Sequence, residues 1–86
     1  MARYRTKHYR EHVEAVQFDP KQVPWPDYIK PWSTNLPPEL NHMGYIQTEE
    51  GRVPVSPGEW VVTEEGEHHL WNDGMFKSVY EPVPEG

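Results

Sequence analysis

The chain has 86 residues, of which 35% are hydrophobic and 26% charged, and eight Lys and Arg against fourteen Asp and Glu leave a formal charge of −6. A chain of this size buries only about 60–65% of its unfolded surface, so it holds one small core. The absence of cysteine excludes disulfides and thiolate metal sites.

Eleven aromatics offset the scarcity of aliphatics, because each buries roughly 150–250 Å². No apolar run approaches the roughly 18 residues of a bilayer span. The basic start has no apolar stretch behind it, as a secretory signal would, so a cytoplasmic protein with no membrane association is expected. Charge is unevenly spread. Arg3, Arg5, Lys7 and Arg10 are four of the eight basic residues, and from Glu11 onward four bases face fourteen acids, a balance of −10. An acidic body repels phosphate backbones, which leaves any nucleic-acid contact to the first ten residues.

Residues 1–10 mix basic, aromatic and polar side chains with little to bury, and read as a flexible or edge-strand basic arm. His8 and His12 have the i, i+4 spacing of two ligands on a helix face, but nothing nearby completes a metal site. Val13–Phe18 alternates β-branched and aromatic residues up to Asp19-Pro20 and is expected to be a strand, with Val16 and Phe18 on one face and Val13 and Ala15 on the other.

Residues 20–38 form a Pro/Trp-rich insert. Six prolines in nineteen residues forbid a long helix and leave room for about one turn, opened by Pro26 and closed before Pro31. Trp25, Tyr28, Ile29 and Trp32 sit between the prolines. Either the insert presents Trp25, Tyr28 and Trp32 to a partner, Trp being favoured at binding hot spots, or the indoles lid the core. Leu36–Leu40 (LPPEL) is a weak polyproline II signal.

Met43–Thr48 and Arg52–Val55 flank Glu49-Glu50-Gly51 and are expected to form a hairpin, with Gly51 at positive φ. Pro54 places the second strand at an edge or bulge, and Val53 and Val55 share an inward face. Ser56-Pro57-Gly58 turns the chain into a strand at Trp60–Thr63. Glu64–Glu67 makes a Gly-centred turn, and His68–Trp71 returns. Asn72 or Asp73 is placed to cap a single turn through Phe76, and Lys77–Val83 is expected to be the last strand. The predicted core is Val16, Phe18, Ile46, Val53, Val55, Trp60, Val62, Leu70, Trp71, Phe76, Val79 and Tyr80.

No constellation of residues selects a chemistry. His68 and His69 are adjacent on a strand, point to opposite faces and cannot chelate one ion. The glutamate pairs fall in turns. Ser33, Ser56 and Ser78 lack a nucleophile setting, and the glycines make no phosphate cradle. The chain is therefore not expected to be an enzyme, nor to carry a metal or cofactor.

The order of motifs does resemble a known group. A basic start, Glu14–Phe18 (EAVQF), a Tyr45–Val55 hairpin, Pro57–Val62 (PGEWVV), and a closing F-x-x-x-Y-x-x-V at Phe76, Tyr80 and Val83 are similar to small proteins of tailed bacteriophages and prophages. The resemblance spans roughly residues 3–83. It implies a viral origin, a bacterial host cytoplasm and a small β-rich fold, but no activity. Such proteins often have a helix where this chain carries its insert.

The combined expectation is an α+β, mostly β, single domain of about five short antiparallel strands with at most one or two helical turns. It comprises an arm at 1–10, a body at 11–83 with the insert at 20–38, and a frayed tail at 84–86. The expected role is a phage accessory protein that binds a host or viral protein through Trp25, Tyr28 and Trp32. The alternative is nucleic-acid binding through Arg3, Arg5, Lys7 and Arg10.

Overall fold

The structure, a computed structural model, describes residues 2–33 and 35–84. Among them are eight strands: β1 (Ala2–Thr6), β2 (His12–Gln17), β3 (Lys30–Pro31), β4 (Gly44–Thr48), β5 (Gly51–Val55), β6 (Trp60–Glu64), β7 (Glu67–Trp71) and β8 (Tyr80–Pro82). A 3-10 turn covers Pro38–Leu40, and one helix, α1, covers Asp73–Val79. The mostly β class expected from the sequence is the one that forms. Strands outnumber the expected five chiefly because the N-terminal stretch and Lys30–Pro31 also pair. The tail expected at 84–86 lies outside the described residues beyond Pro84.

The chain divides into two compact units, Met1–Gln17 with Glu59–Gly86, and Phe18–Gly58. The first contains a five-stranded sheet in the order β7-β6-β2-β1-β8, with every pairing antiparallel. Its register sets one row of side chains against α1. Val13, Ala15, Trp60 and Val62 share that face and bury themselves with Phe76 and Tyr80, while Tyr4, Trp71 and Val79 pack around them. Phe76 stacks on Trp60 with centroids 4.0 Å apart and planes 8° from parallel, and on Tyr80 at 5.0 Å. Tyr4 meets Trp60 and Phe76 edge-on at 5.2 and 5.1 Å. Each such pair adds about 0.5–1.5 kcal/mol beyond its burial, which is how a core poor in aliphatics holds together.

Two local expectations change here. The N-terminal stretch is not an edge: β1 lies between β2 and β8, with Tyr4 opposite both Val13 and Pro82. The chain from Lys77 does not start a strand. Asn72 accepts a bond from the Met75 N–H at 2.8 Å and caps α1, which runs on to Val79 before β8 begins. Asp73 in the first turn and Lys77 in the last suit the helix dipole, and they pair at 3.1 Å across one turn. Burial of Phe76 then outweighs the strand propensity of Val79.

Asp73 also ties the helix to the sheet. Its carboxylate accepts from the Trp60 indole N–H at 2.9 Å and from the Gln17 side-chain amide at 3.2 Å. At the far end of the sheet, β6 and β7 are joined by Glu65-Gly66. Their φ values of 48° and 81° are those of a type I′ hairpin turn.

The unit Phe18–Gly58 holds a three-stranded antiparallel sheet in the order β3-β4-β5. Its buried apolar side chains are Phe18, Trp25, Ile29, Ile46 and Val55. Val53 shares the Val55 face, as expected, but is only half-buried, as are Val16, Leu70, Trp71 and Val79 of the predicted core.

Candidate protein-binding surface

The segment between β2 and β4 is irregular but held at defined points. The Asp19 carboxylate accepts from the Lys21 N–H at 3.0 Å, and the Gln22 N–H reaches the Asp19 carbonyl at 3.0 Å, closing a turn that Pro20 enters. The Trp25 indole donates to the Pro20 carbonyl at 3.0 Å, and its ring stands edge-on to Phe18 with centroids 4.9 Å apart. The single turn expected at Pro26 is present as a bond from the Ile29 N–H to the Pro26 carbonyl at 3.0 Å.

Further along, buried Asn41 organises the rest. Its Oδ1 accepts from the Ser33 N–H at 2.8 Å, and its Nδ2 donates to the carbonyls of Pro37 at 3.0 Å and Leu36 at 3.3 Å. One buried amide therefore joins both sides of the loop, and these three bonds satisfy polar atoms of Asn41 that would otherwise be costly to bury. Nothing about Asn41 in the sequence distinguishes it from a solvated loop residue.

The two tryptophans of the insert have different fates. Trp25 is buried, at 9% exposure, while Trp32 is 47% exposed. A Cβ at Gly44 would meet Ile29 and Trp25, so these two lie over the Gly44 side of β4. Trp32 stands edge-on to Tyr45, the next residue, whose side chain points to the opposite face. The structure does not bring Trp25 and Trp32 together. Trp25 is a packing residue, Tyr28 is half-buried, and Trp32 is the indole offered to solvent.

Beside Trp25 a cleft of about 550 Å³ opens, lined by Val23, Trp25, Pro26, Ile29, Lys30 and Pro38. Of the six large hydrophobic residues that are exposed among the described residues, Val23, Trp32, Leu36 and Leu40 all come from this one segment. The other two, Tyr9 and Met75, lie elsewhere in the chain.

The basic residues of the start are also divided. Arg5 donates from Nε and Nη2 to the same Glu81 oxygen, at 3.1 and 2.9 Å, across the β1–β8 pairing. Its side chain is 19% exposed. Arg3, Lys7 and Arg10 are exposed, and Arg10 has a φ of 55° in the turn between β1 and β2. The Arg5–Glu81 pair spans most of the chain and is invisible in local sequence.

Two histidines and a tyrosine complete the polar inventory. His68 Nδ1 lies 2.9 Å from Thr63 Oγ1, and burial, followed by the charge of neighbouring His69, holds its pKa below the ordinary value. Tyr80 reaches Glu64 at 3.4 Å, and burial together with that carboxylate pushes its phenol up. Among the described residues no three His, Asp or Glu side chains are placed to hold a metal ion. Among the described residues no helix is long and apolar enough to cross a membrane. Comparison of the chain with protein-family models, with curated proteins and with solved structures finds no match.

Proposed function

We propose that this chain is a small accessory protein of a tailed bacteriophage or prophage that acts by binding a host or viral protein through its 20–40 segment. The observation that carries the reading is the concentration of Val23, Trp32, Leu36 and Leu40, all exposed, in one irregular stretch of sequence that Asn41 pins and a buried Trp25 anchors near its start. Solvated apolar side chains on a pre-organised loop are what a partner buries with little ordering cost. The phage origin rests on the motif order alone, and the binding role on this surface.

The test uses the two indoles separately. Immobilised protein is exposed to bacterial lysate with photo-crosslinking, and captured proteins are compared between the wild type and Trp32→Ala. A specific partner that is retained by wild type and lost by a folded Trp32→Ala variant supports the reading. A partner retained equally by both defeats it.

A nucleic-acid role for the start would draw on exposed Arg3, Lys7 and Arg10, since Arg5 is committed to Glu81. Salt-dependent retention on DNA or RNA that vanishes with Arg3→Ala, Lys7→Ala and Arg10→Ala together would favour it instead.

A further inference from the structure

The outer face of the β3-β4-β5 sheet differs in charge from the chain that carries it. Register places Lys30, Tyr45 and Pro54 in one cross-strand row and Gln47 with Arg52 in the next. Gly44, Ile46, Val53 and Val55 point to the other side, three of them buried. The outer face therefore presents two cations and no carboxylate, on a chain whose formal charge is −6.

These groups cluster around one ring. The Arg52 guanidinium lies over Tyr45, 4.6 Å from its centroid, and Trp32 stands edge-on to the same ring with centroids 6.1 Å apart. Neither Lys30 nor Arg52 forms an ion pair among the described residues. Held on the tyrosine, Arg52 keeps the outer edge of its planar fork for an acceptor and loses little rotamer freedom when it finds one. Excess donors beside exposed aromatic carbon call for a ligand with acceptors and an apolar anchor together.

We infer that this sheet face, through Lys30, Arg52, Trp32 and Tyr45, recognises an acidic segment of a partner protein in which carboxylates flank an apolar side chain. The inference rests on the protein-binding reading above and adds the chemistry of the partner. A single-stranded nucleic acid fits less well. Arg52 already covers a face of Tyr45, which removes it as a platform for a base. Two cations on an acidic chain neutralise too few phosphates to hold a polyanion.

The experiment is a fluorescence-anisotropy titration with a labelled peptide of alternating Glu and Leu, its Gln-for-Glu counterpart, and single-stranded oligothymidylate. The Glu peptide is expected to bind at least about tenfold more tightly than the Gln peptide, the order of one charge-assisted bidentate contact. Its affinity should fall as NaCl rises from about 0.05 to about 0.3 M. Arg52→Glu and Lys30→Glu should abolish the preference, and Arg52→Lys should restore part of it, since the charge returns without the planar fork. Circular dichroism of each variant confirms that the sheet is intact. Equal binding of both peptides that is lost in Trp32→Ala would overturn the acidic preference while leaving the binding surface in place. Failure of the Glu peptide to bind, or tighter binding of oligothymidylate that depends on Arg52, would overturn it as well. The lysate capture, which needs no assumption about charge, reports separately on the surface itself.

Discussion

Gly44 offers the most quantitative test of how the candidate surface is supported. A Cβ at this position falls 2.6 Å from Ile29 Cγ2, 3.0 Å from the Lys30 carbonyl oxygen and 3.2 Å from Trp25 Cζ3. The first of these is about 1 Å inside the optimal carbon–carbon separation of ~3.5–4.0 Å. Ile29 is buried at 3% exposure and cannot swing into solvent, and the second contact is backbone. Overpacking of this kind costs roughly 1–3 kcal/mol, offset by about 0.4–1 kcal/mol from the reduced freedom of the unfolded chain when glycine is replaced. Gly44→Ala should therefore lower stability by about 1–2 kcal/mol on balance, measured by urea unfolding followed through Trp fluorescence. Ile29→Leu deletes the β-branch methyl that makes the closest contact and alone should cost less than about 1.5 kcal/mol. The double variant should recover about 1 kcal/mol relative to the sum of the singles, the coupling expected of residues in direct contact. Strict additivity, or a Gly44→Ala variant as stable as wild type, would refute the close packing of β4 against the insert.

Trp25→Ala should lower stability by about 3–5 kcal/mol, the usual loss for a buried large aromatic, whereas Trp32→Ala should cost less than about 1 kcal/mol; equal losses in urea unfolding would show that both indoles are structural. The Trp60 indole N–H, then the Lys77 amine, hold the Asp73 carboxyl below its ordinary pKa. The folded state thus binds fewer protons than the unfolded one in acid. The resulting stability is complete above the unfolded pKa of about 3.9 and is lost as pH falls through the lower folded value. Asp73→Asn should flatten the acid limb of a stability–pH curve, and an unchanged limb would show that other carboxylates set it. Glu65 holds a φ of 48° beside Gly66, a conformation that Asn tolerates far better. Glu65→Asn should raise the thermal midpoint by a few degrees, equivalent to about 0.5–1 kcal/mol, and a fall would refute the turn type.

Elements with local causes were readable from the sequence. Gly51 and Gly66 do adopt positive φ, at 121° and 81°, because a hairpin loop demands it. Asn72 caps a helix because its side chain reaches three residues ahead and accepts from the Met75 N–H. Trp60, Val62, Phe76 and Tyr80 are buried because no alternative apolar surface exists in so small a unit. What escaped depends on partners distant in sequence. Tyr4 is the one aromatic residue among the charges of β1, and its fit against Trp60 and Phe76 joins to the core a stretch that β2 and β8 flank. Trp25 and Trp32 have similar proline-rich surroundings. Phe18 and the missing side chain of Gly44 give Trp25 a buried seat, whereas Trp32, edge-on to half-buried Tyr45, keeps 47% of its surface exposed. Asn41 looks like any loop asparagine until Ser33, Leu36 and Pro37 converge on it.

The interior position of β1 also orders events during synthesis. Phe18–Gly58 is continuous in sequence, its ends joined by a bond from the Gly58 N–H to the Phe18 carbonyl at 2.9 Å, so all of its strands have left the ribosome before β6 does. The five-stranded sheet is discontinuous, and its first strand pairs with its last, Arg5 lying opposite Glu81. Until residues 80–82 emerge, β1 has one exposed ladder edge and Arg5 lacks its acceptor. The unit that carries the candidate surface is thus free to fold before the five-stranded sheet is complete.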